Sequence, residues 1–182
     1  SVYNAGLWGM RNIYFQYGLL CNFLERYTPQ TICLEIHPID YLQMPFSDIE
    51  KVGSLAPFIG VSPECDQLLK EDGIYYKCQL FHLYRYNSNL PEVIMGNVSQ
   101  RTSKSDKGYK KLTNTLDISN GEPEVERFNF EPDQKKIGYL KRFIEKCKDK
   151  GISLIFIYSP MYVVGENDLF DIPTEMAKIY GI

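Results

Sequence analysis

The sequence predicts an α/β fold in which parallel strands alternate with helices. Two short apolar runs, residues 31–36 and 152–158, are typical of buried strands, because they are too short to be ordinary helices. A helical repeat of apolar residues precedes each run, so each strand should follow a crossover helix. With residues 2–4 as a third strand, we expect a parallel sheet covered by helices on both faces, a three-layer α/β/α sandwich.

Length, composition and charge indicate one globular domain without a nucleic-acid partner. The 182 residues are 44% hydrophobic and 24% charged, which suits a domain with a sizeable core. The net charge is −3 and no basic block occurs, and no apolar run approaches the roughly 20 residues of a membrane span. Because residue 1 falls at a strand end and residue 182 at a helix end, we expect the chain to be the interior of a longer domain.

The cysteines and histidines give no reason to expect a metal or another cofactor. The cysteine spacing matches no zinc pattern, and the sequence has only two histidines. Cys21, Cys33 and Cys147 stand in apolar periodic contexts and should be buried. A bridge between Cys65 and Cys78 stays open as an alternative.

The first half of the chain alternates helical patterns with breaks. Residues 10–27 repeat apolar side chains at three- and four-residue steps and should form a helix that ends before Pro29. A short helix is expected near residues 47–55, and Ser62 should cap the next one with Pro63 in its first turn. The aromatic stretch at residues 73–86 resembles a helix that packs on its neighbours.

The second half contains a long polar excursion and the clearest helix. After a helical turn at residues 90–95, residues 96–132 are too polar for a core and form an unusually long excursion. The helix at residues 133–150 should be capped by Asp133 and terminated by Gly151. Its lysines are expected to be solvated: Lys135, Lys136, Lys141, Lys146 and Lys148.

Polar residues follow the predicted strands at their carboxyl ends, where open α/β sheets bind ligands. His37 and Asp40 follow the first strand, and Ser159 follows the later one. The plainer alternatives are that His37 is an ordinary loop histidine, that Asp40 caps the helix or turn that follows it, and that Ser159 belongs to a turn. His82, in the aromatic stretch, is expected to serve packing.

The chain resembles the divergent SGNH/GDSL hydrolases that are common in Bacteroidetes. NAGLWGMRNIYFQYGLL is similar to the second block of that family, and LEIHPIDYL stands where the third block, Gly-x-Asn-Asp, is expected. The later step from a lysine-rich helix to GISLIFIYSPMY is also similar. The resemblance implies a flavodoxin-like α/β/α sandwich and hydrolysis of esters or O-acyl groups, with acylated carbohydrate or a small ester as substrate.

The same resemblance assigns site residues position by position. Gly9 matches the second-block glycine, whose backbone N–H helps to hold the oxyanion, and Asp40 matches the third-block aspartate. The third-block asparagine falls on Ile39, whose side chain cannot donate a hydrogen bond; His37 or a backbone N–H could substitute. The nucleophilic serine and the Asp-x-x-His pair are expected outside these 182 residues.

Two further expectations follow. Residues 96–132 should cross the carboxyl edge of the sheet as a lid, with Tyr109 as the aromatic residue able to stack on a sugar, or else form a surface excursion without a role. In the second functional hypothesis, the chain is a binding or accessory domain that kept the fold without catalysis, which Ile39 in place of asparagine favours.

Overall fold

The structure, a computed structural model, describes residues 3–5, 12–43, 48–86, 90–98, 131–159 and 170–182. Within these ranges the fold is mixed α/β and mostly helical. The helices are α1 (Ile13–Leu24), α2 (Pro63–Glu71), α3 (Ile74–Leu80), α4 (Leu90–Val98), α5 (Gln134–Asp149) and α6 (Asp171–Tyr180). The strands are β1 (Thr31–Glu35) and β2 (Ser153–Ile157), and 3₁₀ segments occur at Pro38–Asp40, Asp48–Phe58 and His82–Arg85.

The two strands pair directly and in parallel, which confirms that part of the predicted sheet. The register runs from Thr31 opposite Ser153 to Glu35 opposite Ile157. Among the described residues the sheet has these two strands. Of the predicted strand at residues 2–4, Tyr3 and Asn4 are described, and they lie outside any strand. The three-layer sandwich therefore stays a prediction.

The sheet buries one face rather than two, which corrects the expectation of fully buried strands. Leu34 and Leu154 point into the core that α1 and α5 share, because alternate strand residues face the same side. Ile155 and Ile157 occupy the other face and are exposed. Cys33 lies on that face too, so the prediction that it is buried was wrong.

Helix α1 is the centre of the core. Asn12 caps it by accepting a hydrogen bond from the Tyr14 backbone N–H at 2.8 Å. Gly18 brings its backbone close to its neighbours: an added Cβ would lie 2.5 Å from Leu55 Cδ1 and 3.1 Å from Leu68 Cδ1. The absence of a side chain thus lets α1 pack tightly against the Asp48–Phe58 segment and α2.

Helix α5 follows its sequence pattern closely. The Asp133 carboxylate caps it by accepting from the backbone N–H groups of Lys135 and Lys136 at 2.9 and 3.1 Å. At the other end Gly151 has φ +67°, the left-handed conformation that stops a helix, and β2 begins two residues later. Ser62 likewise caps α2, with Pro63 in its first turn. These predictions are confirmed.

The aromatic stretch at residues 73–86 differs from the prediction. The helix ends at Leu80, since Phe81 is extended at φ −127°, ψ 93°, and a 3₁₀ turn follows. Cys78 is buried, while most of the large apolar side chains and His82 face solvent, so the expected packing was wrong. Cys78 and Cys65 are both free thiols. No helix in the described ranges is long and apolar enough to cross a membrane.

Candidate functional site at the carboxyl edge of the sheet

Strands β1 and β2 end side by side, as the sequence predicts for two parallel strands. The Ile36 backbone N–H donates to the Ile157 carbonyl at 2.9 Å, which extends the ladder by one residue beyond β1. Residues 36–43 then leave β1, and Tyr158 and Ser159 leave β2. We call these residues the carboxyl edge. In open α/β sheets this edge is where ligands bind.

His37 and Asp40 form a closed turn immediately after β1. The His37 backbone N–H donates to Asp40 Oδ2 at 2.9 Å, and the Ile39 N–H donates to His37 Nδ1 at 3.3 Å. The two residues thereby cap the Pro38–Asp40 segment reciprocally. In the bond from the Ile39 N–H, His37 Nδ1 is the acceptor, so the ring takes part in the turn through its side chain. Asp40 thus caps the turn in which it lies and not, as the sequence alternative has it, the helix or turn that follows.

Lys136 fastens this turn to helix α5. Its ammonium donates to the carbonyls of Ile39 and Leu42 at 3.0 and 2.8 Å, and only 4% of the residue is exposed. A charged donor makes stronger bonds than a neutral one, and a buried ammonium needs such partners to offset its lost hydration. The prediction that Lys136 is solvated was therefore wrong. The residue links helix α5 to the carboxyl edge through these two hydrogen bonds.

The end of the polar excursion lies beside the same turn. The Asp133 N–H donates to the Tyr41 carbonyl at 2.8 Å, and the Gln43 N–H donates to the Glu131 carbonyl at 2.8 Å. Between them, Leu42 and Pro132 form an antiparallel bridge. Glu131 and Pro132, the last residues before α5 and its cap, therefore lie at the carboxyl edge. The lid hypothesis requires this position for the end of the excursion. Residues 99–130, including Tyr109, lie outside the described residues.

Tyr41 gives the edge a neutral, buried phenol. The residue is completely buried, and this burial raises the pKa of its hydroxyl above the ordinary value. The proximity of Tyr158 and of Asp40 shifts the pKa of Tyr41 in the same direction. The Tyr158 ring is partly exposed and meets the Phe170 ring edge-on at 4.7 Å. Tyr41 thus stays protonated at neutral pH.

A shallow cleft adjoins Tyr158, between β2 and α6. Its volume is about 330 Å³, and its lining is chiefly apolar: Leu154, Ile155, Phe156, Tyr158, Thr174, Ala177 and Ile182. Apolar walls with few polar groups suit the hydrocarbon part of a ligand. The cleft thus runs along β2 and reaches the carboxyl edge at Tyr158, whereas the polar turn follows β1 at that edge.

The sequence-predicted site residues are only partly brought together. His37 and Asp40 share one turn, and Ser159 follows the neighbouring strand. Gly9 and Tyr109 lie outside the described residues, so their predicted roles stay predictions. In the described part of the chain, no group of three or more His, Cys, Asp or Glu side chains could hold a metal ion.

Sequence reasoning missed Lys136 although a local signal was present. Counting four and seven residues onward from position 136 reaches Leu140 and Phe143, both in the apolar stripe of α5. A lysine in register with such a stripe projects towards the core and needs acceptors there. The partners themselves could not be predicted, since Ile39 is 97 residues away in sequence.

Comparison with family models, with curated proteins and with solved structures finds no match for this chain.

Proposed function

We propose that this chain is the central part of an SGNH-like ester hydrolase, possessing the three-layer α/β/α sandwich and acting on acylated carbohydrate or a related small ester. The observation that carries the proposal is the parallel alignment of β1 and β2, which places a polar turn beside the end of β2, where Tyr158 lines one end of an apolar cleft. An ester substrate needs both, a polar site for its carbonyl and an apolar site for its acyl group.

In this proposal the carboxyl edge positions the substrate and does not perform nucleophilic attack. Lys136 holds the Ile39 and Leu42 carbonyls, so the backbone from residue 37 to 42 forms a rigid wall. A rigid wall matters because donors that stabilise an oxyanion must be aimed before the reaction begins. Gly9 would supply one such N–H, and the nucleophilic serine with its Asp-His pair would come from segments outside these 182 residues.

The test is hydrolysis of acetyl esters by the protein that contains this chain. Activity should be lost when the nucleophilic serine, expected outside these 182 residues, is changed to alanine, and unchanged activity would eliminate the proposal. Ile39→Asn adds a sharper test, because it restores the side-chain donor that the resemblance expects at this position. Since losing such a donor costs about 100-fold in rate, the variant should raise kcat by up to about that factor.

The matched control for Ile39→Asn is Ile179→Asn, which makes the same chemical change at an exposed position of α6. This control should leave kcat unchanged. An equal response of the two variants would show that the gain does not come from the carboxyl edge.

A non-catalytic binding domain is the second candidate, and one observation favours it. Asp40 and His37 already cap each other's backbone, which is a structural use of both side chains. Under this hypothesis the protein binds a glycan through the carboxyl edge and releases it unchanged. Saturable glycan binding without product formation, in wild type and in Ile39→Asn, would support this candidate against the hydrolase.

A further inference from the structure

Residues 74–86, which we call the aromatic segment, expose an unusual amount of apolar surface. Leu80 is 75% exposed, Leu83 70% and Phe81 64%, and all three are close in sequence. Tyr76, Tyr84 and Tyr86 are exposed as well. Isolated exposed apolar residues are common, but a contiguous group of this kind is typical of an interaction surface.

The segment is anchored on one side only. Cys78 is buried, and Ile74 and Tyr75 pack partly against the core, so α3 has a fixed inner face. Its backbone hydrogen bonds are local: Phe81 N–H donates to the Lys77 carbonyl at 2.9 Å, and Tyr84 N–H to the Phe81 carbonyl at 2.8 Å. The segment therefore has a fixed inner face and an apolar outer face, which is the arrangement of an element that lies in a membrane interface.

The charges of the segment are all of one sign, although the chain as a whole carries −3. Lys77 and Arg85 lie within it, and residues 74–86 contain no aspartate or glutamate. The nearest acidic residues in sequence are Asp72 and Glu92. In the neighbouring helix α2, the Lys70 ammonium lies 4.8 Å from the centre of the Tyr75 ring, but the adjacent Glu71 balances its charge, so the positive charge of the surface is that of Lys77 and Arg85.

We propose that the aromatic segment docks on the surface of an anionic lipid bilayer. Leu80, Phe81 and Leu83 would enter the boundary between headgroups and acyl chains, where burial of apolar area favours binding. Tyrosine rings suit the headgroup level because each combines an apolar body with a polar hydroxyl. Lys77 would face the anionic headgroups, and this charge complementarity is what favours a lipid surface over a second protein chain.

The test is co-sedimentation of the full chain with phosphatidylcholine vesicles, with and without phosphatidylserine. Binding should be stronger to the vesicles with phosphatidylserine. The double variant Leu80→Ser/Leu83→Ser should reduce the partition coefficient by about tenfold or more, because two exposed apolar side chains no longer insert. Ile179→Ser, at a comparably exposed site on α6, is the matched control and should bind as wild type does.

Charge is tested separately with Lys77→Gln, against Lys141→Gln on the exposed side of α5. Removing one cation near an anionic surface should weaken binding about fivefold, and only to vesicles with phosphatidylserine. No binding to either vesicle, or equal binding by the double serine variant and wild type, would overturn the proposal. So would concentration-dependent dimerisation that the serine variant abolishes without any vesicle binding, since a second copy would then cover the segment.

Discussion

Replacing Lys136 by methionine tests how the carboxyl edge is held together. Methionine keeps most of the chain length and removes the ammonium, so both hydrogen bonds to the Ile39 and Leu42 carbonyls are lost. A bond from a charged donor contributes at least about 1.5 kcal/mol, or about 3 kcal/mol for the two. Relief of the buried charge offsets part of this sum. We expect the free energy of unfolding to fall by about 2–3 kcal/mol.

The neighbouring residue offers a matched control. Lys135 pairs with Glu71 at 3.2 Å, but its side chain is 48% exposed. A surface pair of this kind contributes at most about 1 kcal/mol, so Lys135→Met should have a small effect. Urea titrations followed by far-UV circular dichroism would measure both variants. Equal losses in the two, or a smaller loss for Lys136→Met, would refute the assignment of Lys136 as the anchor of this edge.

Three further predictions concern stability and reactivity. Gly151→Ala should lower the free energy of unfolding by about 1 kcal/mol in thermal denaturation, because Gly151 has φ +67°. Gly138→Ala, inside α5 with open space around it, should be neutral or stabilising. A larger loss for Gly138→Ala than for Gly151→Ala would contradict this reasoning. The hydrogen bond with Lys146 holds the pKa of Glu64 below 4.5, so the pair stabilises the fold above that pH and the contribution disappears on acidification. Glu64→Gln should therefore lose up to about 1 kcal/mol at neutral pH and converge with wild type in acid, as pH-dependent urea titration would show. In native protein a thiol reagent should modify Cys33 rapidly and the four buried thiols slowly, and Cys33→Ser should remove the fast phase.

The elements that the sequence predicted well are those with strong local signals. Helix α5 has a cap at Asp133, an apolar stripe and a terminating glycine, and each is a property of a few adjacent residues. The pairing of β1 with β2 followed from the order of helices and strands, since a right-handed crossover makes successive strands parallel neighbours. The polar turn at His37 and Asp40 was located by its place after β1.

The failures concern contacts between distant parts of the chain. A continuous apolar run at residues 152–158 predicts a strand, but whether one face or both are covered depends on what packs there. The prediction that the aromatic segment packs on its neighbours failed for the same reason. Its composition is that of a core, but only Cys78, Ile74 and Tyr75 reach the core. The burial of Lys136 could not be predicted either, because it depends on the carbonyls of residues 39 and 42, which are distant in sequence.

The central claim is that the carboxyl edge binds the substrate. The most direct test is an NMR titration in which the backbone amide signals of the chain are followed as an O-acetylated oligosaccharide is added. The matched ligand is the same oligosaccharide without acetyl groups. The proposal predicts chemical-shift changes concentrated at residues 37–43 and at Tyr158 and Ser159, larger with the acetylated ligand. No saturable change at these amides, or changes confined to other surfaces such as residues 74–86, would contradict it.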